Sequence, residues 1–134
     1  MNKLLADLLD EVGASSGTIH QPRDGHLILT ASIGLPDSIK PAIAKIPKGK
    51  GMAGMAWETG RSVTTCSLRT DPNTTIQTGA RAVEADAAIA VPVIDRLDEI
   101  IGVVGFAFEP GTDAVETRMD RCLRAVKQAL SEFN

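Results

Sequence analysis

The chain has 134 residues, of which 43% are hydrophobic and 23% charged, a composition typical of one globular domain. A formal net charge of −3 argues against a nucleic-acid binder, which needs a basic face, and an aromatic fraction of 3% leaves few rings for base stacking. No apolar run approaches the roughly 20 residues of a membrane span, and the N-terminus lacks the pattern of a signal peptide. We therefore predict a single cytoplasmic domain over residues 1–134, with neither nucleic acid nor a membrane as partner.

The N-terminal part predicts a helix followed by a hairpin. Apolar residues recur at helical spacing over residues 2–12, and the pattern stops at Gly13. The Asp24-Gly25 pair is a strong signal for a hairpin between a short strand over 15–21 and an alternating strand over 26–33. The alternation predicts that four apolar residues lie on one face of the sheet: Leu27, Leu29, Ala31 and Ile33.

A glycine-rich segment follows a short predicted helix that begins near Asp37. Gly49 and Gly51 precede and open a second helix, which Gly60 closes, and a short strand over 62–66 comes next. Glycines this closely spaced indicate sharp turns and close backbone approach. The start of the helix could bind an anion through its backbone N–H groups, although no P-loop pattern is present; a tight turn that packs against the sheet is the alternative.

The second half predicts an irregular loop over 67–85 and then two strands, over 87–94 and 100–108, that are apolar on both sides. Such strands must be covered on both faces. The first helix and a last helix beginning at Thr112 would cover one face, and the crossover over 34–85 would cover the other and leave a concave space. The predicted fold is an α+β three-layer sandwich around a central antiparallel sheet of five to six strands.

Four stretches, in their order and spacing, resemble the GAF domain, a small-molecule-sensing fold related to PAS: residues 29–36, 47–60, 90–94 and 100–106. The resemblance covers essentially the whole chain. It implies a stand-alone sensor domain, expected to be bacterial, that binds a metabolite, nucleotide or small anion and signals to a separate partner protein. The alternative is an interaction module without a ligand. Because terminal helices in this family often form a dimer bundle, the resemblance also implies a homodimer; it names no cofactor.

The predicted ligand-binding residues come from the glycine-rich helix and from the strand and loop after it. An arginine in the loop that covers the cavity would be a forked donor for a carboxylate, phosphate or oxyanion. Arg69 and Asp71 could instead pair with each other and hold that loop. Methionines on the helix are adaptable lining for an apolar cavity. The full set of candidates is Met52, Met55, Ala56, Thr64, Cys66, Arg69, Asp71 and Arg81.

Thiol chemistry is poorly supported. Some short GAF proteins are free methionine-R-sulfoxide reductases, which resemble this chain around the glycine-rich helix and use cysteines in the pocket. They have a cysteine directly before the internal glycine of that helix, where this chain has Ala53, and further cysteines in the loop that corresponds to residues 67–86, which contain none. We therefore predict that the chain is not an enzyme. Cys66 is either a redox-sensing thiol or a small buried side chain, and Cys122 is expected in the core.

Other ligands of the family fit less well. Bilin-binding members have a cysteine followed by histidine, whereas Cys66 is followed by Ser67, and the sequence pattern of cyclic-nucleotide-binding members is absent. His20 and His26 flank the predicted hairpin and could bridge a metal ion across it. Two imidazoles without a third ligand make a weak site. We predict no metal, and a hairpin exposed to solvent.

Overall fold

The computed structural model describes residues 1–64, 87–108 and 115–133, and within them it contains one six-stranded antiparallel sheet. Its strand order is β3-β2-β1-β6-β5-β4. The elements in chain order are α1 (Asn2–Val12), β1 (Ser16–Arg23), β2 (His26–Ile33), a 3-10 turn (Asp37–Ile39), α2 (Lys40–Ile43), β3 (Lys45–Pro47), α3 (Gly51–Thr59), β4 (Val63–Thr64), β5 (Ala87–Ile94), β6 (Ile100–Phe108), α4 (Val115–Gln128) and a final 3-10 helix (Leu130–Phe133).

The predicted α+β sandwich is confirmed, with β3 as the strand that the sequence pattern did not indicate. Across the residues described, no helix combines the length and the apolarity that crossing a bilayer requires.

The turns form where the sequence predicts them, because the residues there tolerate positive φ. Gly13 ends α1 at φ 75°, and its N–H donates to the carbonyl of Leu9 at 2.9 Å. Asp24 and Gly25 have φ of 52° and 79°, the two positive values of a type I′ hairpin turn. Gly60 ends α3 in the same left-handed conformation as Gly13.

The first core lies between one face of the sheet and the two terminal helices, as predicted. Gly17 on β1 allows α1 to approach, since a Cβ there would lie 2.7 Å from Cδ2 of Leu9. Cys122 is fully buried in this core, which confirms its predicted place. The other large buried side chains of the cluster are Leu5, Leu8, Val12, Ile19, Ile89, Val91, Val93, Val104, Phe106, Phe108, Val126 and Phe133.

The second core lies on the opposite face, under the segment that contains α2, β3 and α3. Its buried members come from the sheet and from this covering segment: Leu27, Ile43, Ile46, Met52, Ala56, Val63, Ala90 and Val103. Both faces of β5 and β6 are therefore covered, which is why these strands are apolar on both sides.

A β-bulge corrects the predicted alternation of β2. Ile19 pairs with Ala31 and the next residue, His20, pairs with Leu29, so Thr30 is the extra residue, and its hydroxyl donates to the carbonyl of Ile19 at 3.1 Å. A one-residue shift exchanges the two faces of a strand. The prediction of one shared face is therefore wrong: Leu27 and Leu29 pack with the second core, whereas Ala31 and Ile33 pack with the first.

Candidate functional site

A cavity of about 110 Å³ lies between the second face of the sheet and the covering segment. It occupies the concave space that the sequence predicts. The sheet side of the cavity is built largely from residues with small side chains or none: Ser16, Gly17, Thr18, Ala88, Ala90, Gly105 and Ala107. Short side chains at these positions leave space that larger residues would fill, so the floor of the cavity is a direct consequence of the sequence.

The start of α3 forms part of the opposite wall. Lys50, Gly51, Met52 and Ala53 line the cavity. The residue before the helix, Lys50, has an extended backbone, and no side chain caps the start of the helix. The backbone N–H groups of a helix's first turn have no partner within the helix, and they carry a partial positive charge. The cavity wall therefore combines hydrogen-bond donors with a positive potential, to which the exposed Lys50 contributes a full charge.

His20 is the most unusual residue of the cavity wall. Its ring is 2% exposed, and its Nε2 lies 2.8 Å from the carbonyl oxygen of Ile43. Because a carbonyl oxygen only accepts, the neutral ring donates through Nε2, and Nδ1 is left as an acceptor. Nδ1 is buried and has no hydrogen-bond partner among the described residues.

The burial of His20 corrects the prediction of a solvent-exposed hairpin at that residue, whereas Arg23, Asp24 and Gly25 at the turn are exposed as predicted. His20 lies on the face of β1 that the covering segment packs against, where the carbonyl of Ile43 holds its ring. His26 lies beside the turn, where its Nδ1 is 3.3 Å from the carbonyl oxygen of Asp24. The two histidines therefore lie in different environments, and the parts of the chain that the structure describes contain no group of three or more potential metal-ligating side chains.

Ser16 is a second buried polar residue of the wall. It is 3% exposed, and its Oγ, like Nδ1 of His20, has no hydrogen-bond partner among the described residues. Most buried polar side-chain atoms in proteins are paired with protein or ordered water. Among the described residues, Oγ of Ser16 and Nδ1 of His20 are two exceptions, and both belong to residues that line the cavity.

Burial lowers the pKa of His20, and its hydrogen bond to the Ile43 carbonyl opposes this effect without reversing it. The unfolded chain then binds a proton near pH 6.5, while the folded chain binds it only at lower pH. We expect the free energy of unfolding to fall as the pH decreases below 6.5, and to fall less in a His20→Phe variant. Urea unfolding at several pH values measures how steeply the free energy of unfolding depends on pH in the wild type and in His20→Phe. The same dependence in both proteins would contradict the prediction.

The residues predicted to bind a ligand lie in different places. Met52 lines the cavity. Ala56 is fully buried in the second core and Met55 packs against that core, so the three share the core-facing side of α3. Thr64 is buried on β4 and, like Met55 and Ala56, is not among the described residues that line this cavity. Cys66, Arg69, Asp71 and Arg81 lie outside the described residues.

Sequence reasoning did not select Ser16 as a site residue, and it considered His20 only as a weak metal ligand and not as part of the cavity wall. The signal that could have found them is the spacing of Ser16, Thr18 and His20, which places three polar residues on one face of a strand next to apolar elements. A polar face on a strand of a covered sheet indicates either an exposed edge or a polar cavity. Here all three residues line the cavity.

Cys122 is unsuited to thiol chemistry. It lies in the first core, on the side of the sheet away from the cavity. Burial raises its pKa to about 12, although Arg121 acts in the opposite direction. Because the thiolate is the nucleophile, a thiol that stays protonated at neutral pH is unreactive.

Solved structures similar to this chain share its fold. The free methionine-R-sulfoxide reductase of Neisseria meningitidis, in complex with its substrate, is 22% identical with a TM-score of 0.74, and the match covers 98% of this chain and 74% of that one. The type II enzyme of Thermoplasma acidophilum is 16% identical with a TM-score of 0.74, over 99% and 89% of the two chains. The GAF domain of a Coxiella burnetii phosphoenolpyruvate-protein phosphotransferase is 15% identical with a TM-score of 0.69, over 97% and 90%.

Identities this low establish a common fold and nothing further. No curated protein sequence matches the chain. The sequence model of the GAF domain matches residues 1–127, nearly the whole length. By this match and by its fold, the chain belongs to the GAF domain family.

Proposed function

We propose that this GAF domain is a sensor that binds a small molecule in the cavity and signals its occupancy to a separate partner protein. The observation that carries the proposal is the cavity of about 110 Å³ between the sheet and the covering segment. Small side chains on the sheet leave this space open, and the uncapped first turn of α3, with its partial positive charge, forms part of the wall. A concave, mostly apolar space with a few polar groups is the usual form of a small-molecule site.

The position of the cavity beside the start of α3 also provides a route for a signal. The covering segment contributes the first turn of α3 to the cavity wall, while the rest of α3 packs in the second core through Ala56. A ligand that contacts this turn would stabilise the covering segment in one position. A partner protein that contacts the segment would then respond to the occupancy of the cavity.

A thiol-dependent reductase is a weaker proposal, although two of the similar structures above are free methionine-R-sulfoxide reductases. This chain has two cysteines, and one of them, Cys122, is buried on the far side of the sheet with a raised pKa. Ala53, at the cavity wall, stands where those enzymes are expected to have a cysteine. We therefore propose a binding domain rather than an enzyme.

The dimer through the terminal helices remains part of the proposal, as does the cytoplasmic location. Much of the apolar face of each helix packs in the first core, including Leu5 and Leu8 of α1 and Val126 of α4. Leu123 on α4 is 42% exposed and Met1 before α1 is also 42% exposed. Among the described residues of the terminal helices, these two are the exposed large apolar side chains that a dimer bundle could use, and light scattering would measure the oligomeric state.

A thermal-shift screen tests the sensor proposal. The panel comprises small carboxylic acids, amino acids, nucleotides, inorganic anions and free methionine sulfoxide with a thiol reductant. A cavity ligand binds the folded state and should raise the melting temperature with dose, by an amount that follows its affinity. The Ser16→Ala variant should show a smaller shift for the same compound. A panel without any stabilising compound would contradict the proposal, and thiol-dependent turnover of the sulfoxide would replace it with the reductase.

A further inference from the structure

We propose that residues 35–43 form a strap over the cavity, that the hydrogen bond from His20 holds this strap closed, and that acid opens it. The strap is the part of the covering segment between Gly34, which follows β2, and Ala44, which precedes β3. This inference rests on the proposed function only in treating the cavity as a binding site, to which the strap would control access. Its test needs no ligand.

The strap is a wall of the cavity, and few of its side chains attach it to the sheet. Leu35 and Ile43 line the cavity. Within the strap, the buried side chains are those of Ile39 and Ile43. Its secondary structure is one 3-10 turn and the four-residue helix α2, and helices this short are not stable in water without packing. A strap that leaves the sheet would therefore lose its structure and open the cavity.

Both ends of the strap are held on the sheet. Gly34 has φ of 79°, and a Cβ there would lie 2.8 Å from Cβ of Ser16, so this end packs closely on β1. At the other end, the carbonyl of Ala44 accepts a hydrogen bond from the N–H of Leu29 at 3.0 Å. Because these contacts lie outside the strap, the strap can move while its ends stay in place, as in a hinged segment.

His20 makes a polar contact that crosses from the sheet to the strap. Its Nε2 donates to the carbonyl oxygen of Ile43 at 2.8 Å, and its ring is 2% exposed. The closed strap thus covers the ring and removes it from water. This arrangement suits the neutral ring, because a buried imidazolium ion would lose its hydration and Nδ1 would carry a second N–H without a partner among the described residues.

The surroundings of His20 offer little compensation for a positive charge. Among the described residues that line the cavity, the other titratable side chain is the cation Lys50. Strands β5 and β6 carry no charged side chain. The elements around the ring otherwise carry Arg23 on β1, His26 on β2, Asp37 and Lys40 on the strap, Lys45 on β3, Lys48 before α3 and Glu58 on α3. Of the two carboxylates, Asp37 is paired with Lys40 at 3.0 Å, and Glu58 is exposed.

The sign of the pH effect follows from these surroundings. Burial lowers the pKa of His20 in the closed state. When the strap opens and water reaches the ring, the pKa returns toward 6.5, so the open state binds a proton that the closed state does not. Opening therefore becomes more favourable as the pH falls below 6.5, by up to about tenfold per pH unit until the closed state also binds the proton.

Amide hydrogen exchange of the full chain, followed by NMR at pH 7 and pH 5, tests the proposal. The reporters are the N–H groups of Ile39 and Lys40, which donate to the carbonyls of Pro36 and Asp37 inside the strap. After correction for the intrinsic pH dependence of exchange, the opening of these amides should rise at least about threefold from pH 7 to pH 5. Low concentrations of urea should hardly change their exchange, because local opening exposes little surface.

Two variants test the role of His20. His20→Gln keeps a side-chain donor for the Ile43 carbonyl but does not titrate, so the rise between pH 7 and pH 5 should fall to within about 1.5-fold. His26→Gln is the matched control: it makes the same change on the same hairpin, at a residue that does not line the cavity, and it should keep the wild-type rise. If His20→Gln does not fold, an NMR titration of the His20 ring in the wild type replaces it. Protonation of the ring should then follow the same pH curve as the exchange of the strap amides.

The outcomes separate this inference from the proposed function. No rise in the wild type, an equal rise in His20→Gln, or a ring titration that does not follow the strap exchange would overturn the role of His20. If the strap amides exchange with the same free energy and urea dependence as the amides of β5 and β6, the strap opens only when the whole chain unfolds, and the inference fails. None of these results affects the sensor proposal, which the thermal-shift screen tests at neutral pH. A screen without a binder would overturn the sensor and leave the measured strap opening as it is.

Discussion

The Phe106→Ala variant is expected to unfold with a free energy about 3–5 kcal/mol lower than that of the wild type. Phe106 is the largest fully buried side chain among the described residues, at 2% exposure, and it lies in the first core. On the adjacent strand β1, Phe106 pairs with Gly17, which has no side chain that could move into the space left behind. A typical domain has a total stability of about 5–15 kcal/mol, so this loss would remove a large part of it.

Urea unfolding followed by circular dichroism measures the effect of Phe106→Ala. Leu97→Ala is the control, since Leu97 is 79% exposed in the turn between β5 and β6 and should change the free energy of unfolding by no more than about 0.5 kcal/mol. A loss below about 1 kcal/mol in Phe106→Ala would mean that the first core relaxes into the space. The description of that core as closely packed would then be wrong.

The second large effect is expected from Gly54→Ala. Whether this substitution raises or lowers the free energy of unfolding is the informative result. In an isolated helix, alanine is more favourable than glycine by about 1 kcal/mol. Gly54 lies inside α3, but a Cβ there would be 2.7 Å from the carbonyl oxygen of Pro47 and 3.3 Å from Cγ2 of Ile46. The first of these contacts is with backbone, which cannot rotate away. We therefore expect the substitution to destabilise the fold by about 1–3 kcal/mol.

The neighbouring position supplies the control for this prediction. Ala53→Gly removes a Cβ from the same helix and should cost about 1 kcal/mol through helix propensity without any steric clash. Urea unfolding of both variants gives the comparison. If Gly54→Ala stabilises the chain as alanine does in a free helix, then α3 does not pack as closely on β3 as the structure has it.

The close packing at Gly54 also connects the glycine-rich segment to the cavity. The carbonyl of Gly54 accepts a hydrogen bond from the N–H of Gly49 at 3.0 Å, which holds the turn before α3 against the helix. Gly49 and Gly51 have φ of 80° and 65°, values that other residues rarely adopt. These contacts fix the position of the first turn of α3 at the cavity wall. The glycines therefore act on the site through the backbone that they position.

Local sequence determined most of the elements of this fold. The helical spacing over 2–12, the Asp24-Gly25 turn and the glycines that end α1 and α3 are local features, and each appears in the structure as predicted. The doubly apolar strands β5 and β6 required covering layers on both faces, and the sheet has them. The small residues of the cavity floor are also readable from sequence once the strands are paired.

Only the tertiary structure decided which face each residue of β1 and β2 occupies and which polar residues are buried. The bulge at Thr30 reverses the alternation of β2, and regular spacing along one strand contains no signal for an extra residue opposite another strand. The strand β3 is three residues long, too short for a periodic pattern, and it forms because β2 offers it an edge. His20 is buried because the carbonyl of Ile43, 23 residues away in sequence, comes within hydrogen-bond distance of its ring. Contacts between distant segments depend on how the layers pack. Local sequence therefore determined most of the elements, whereas the packing of the layers determined β3 and the site.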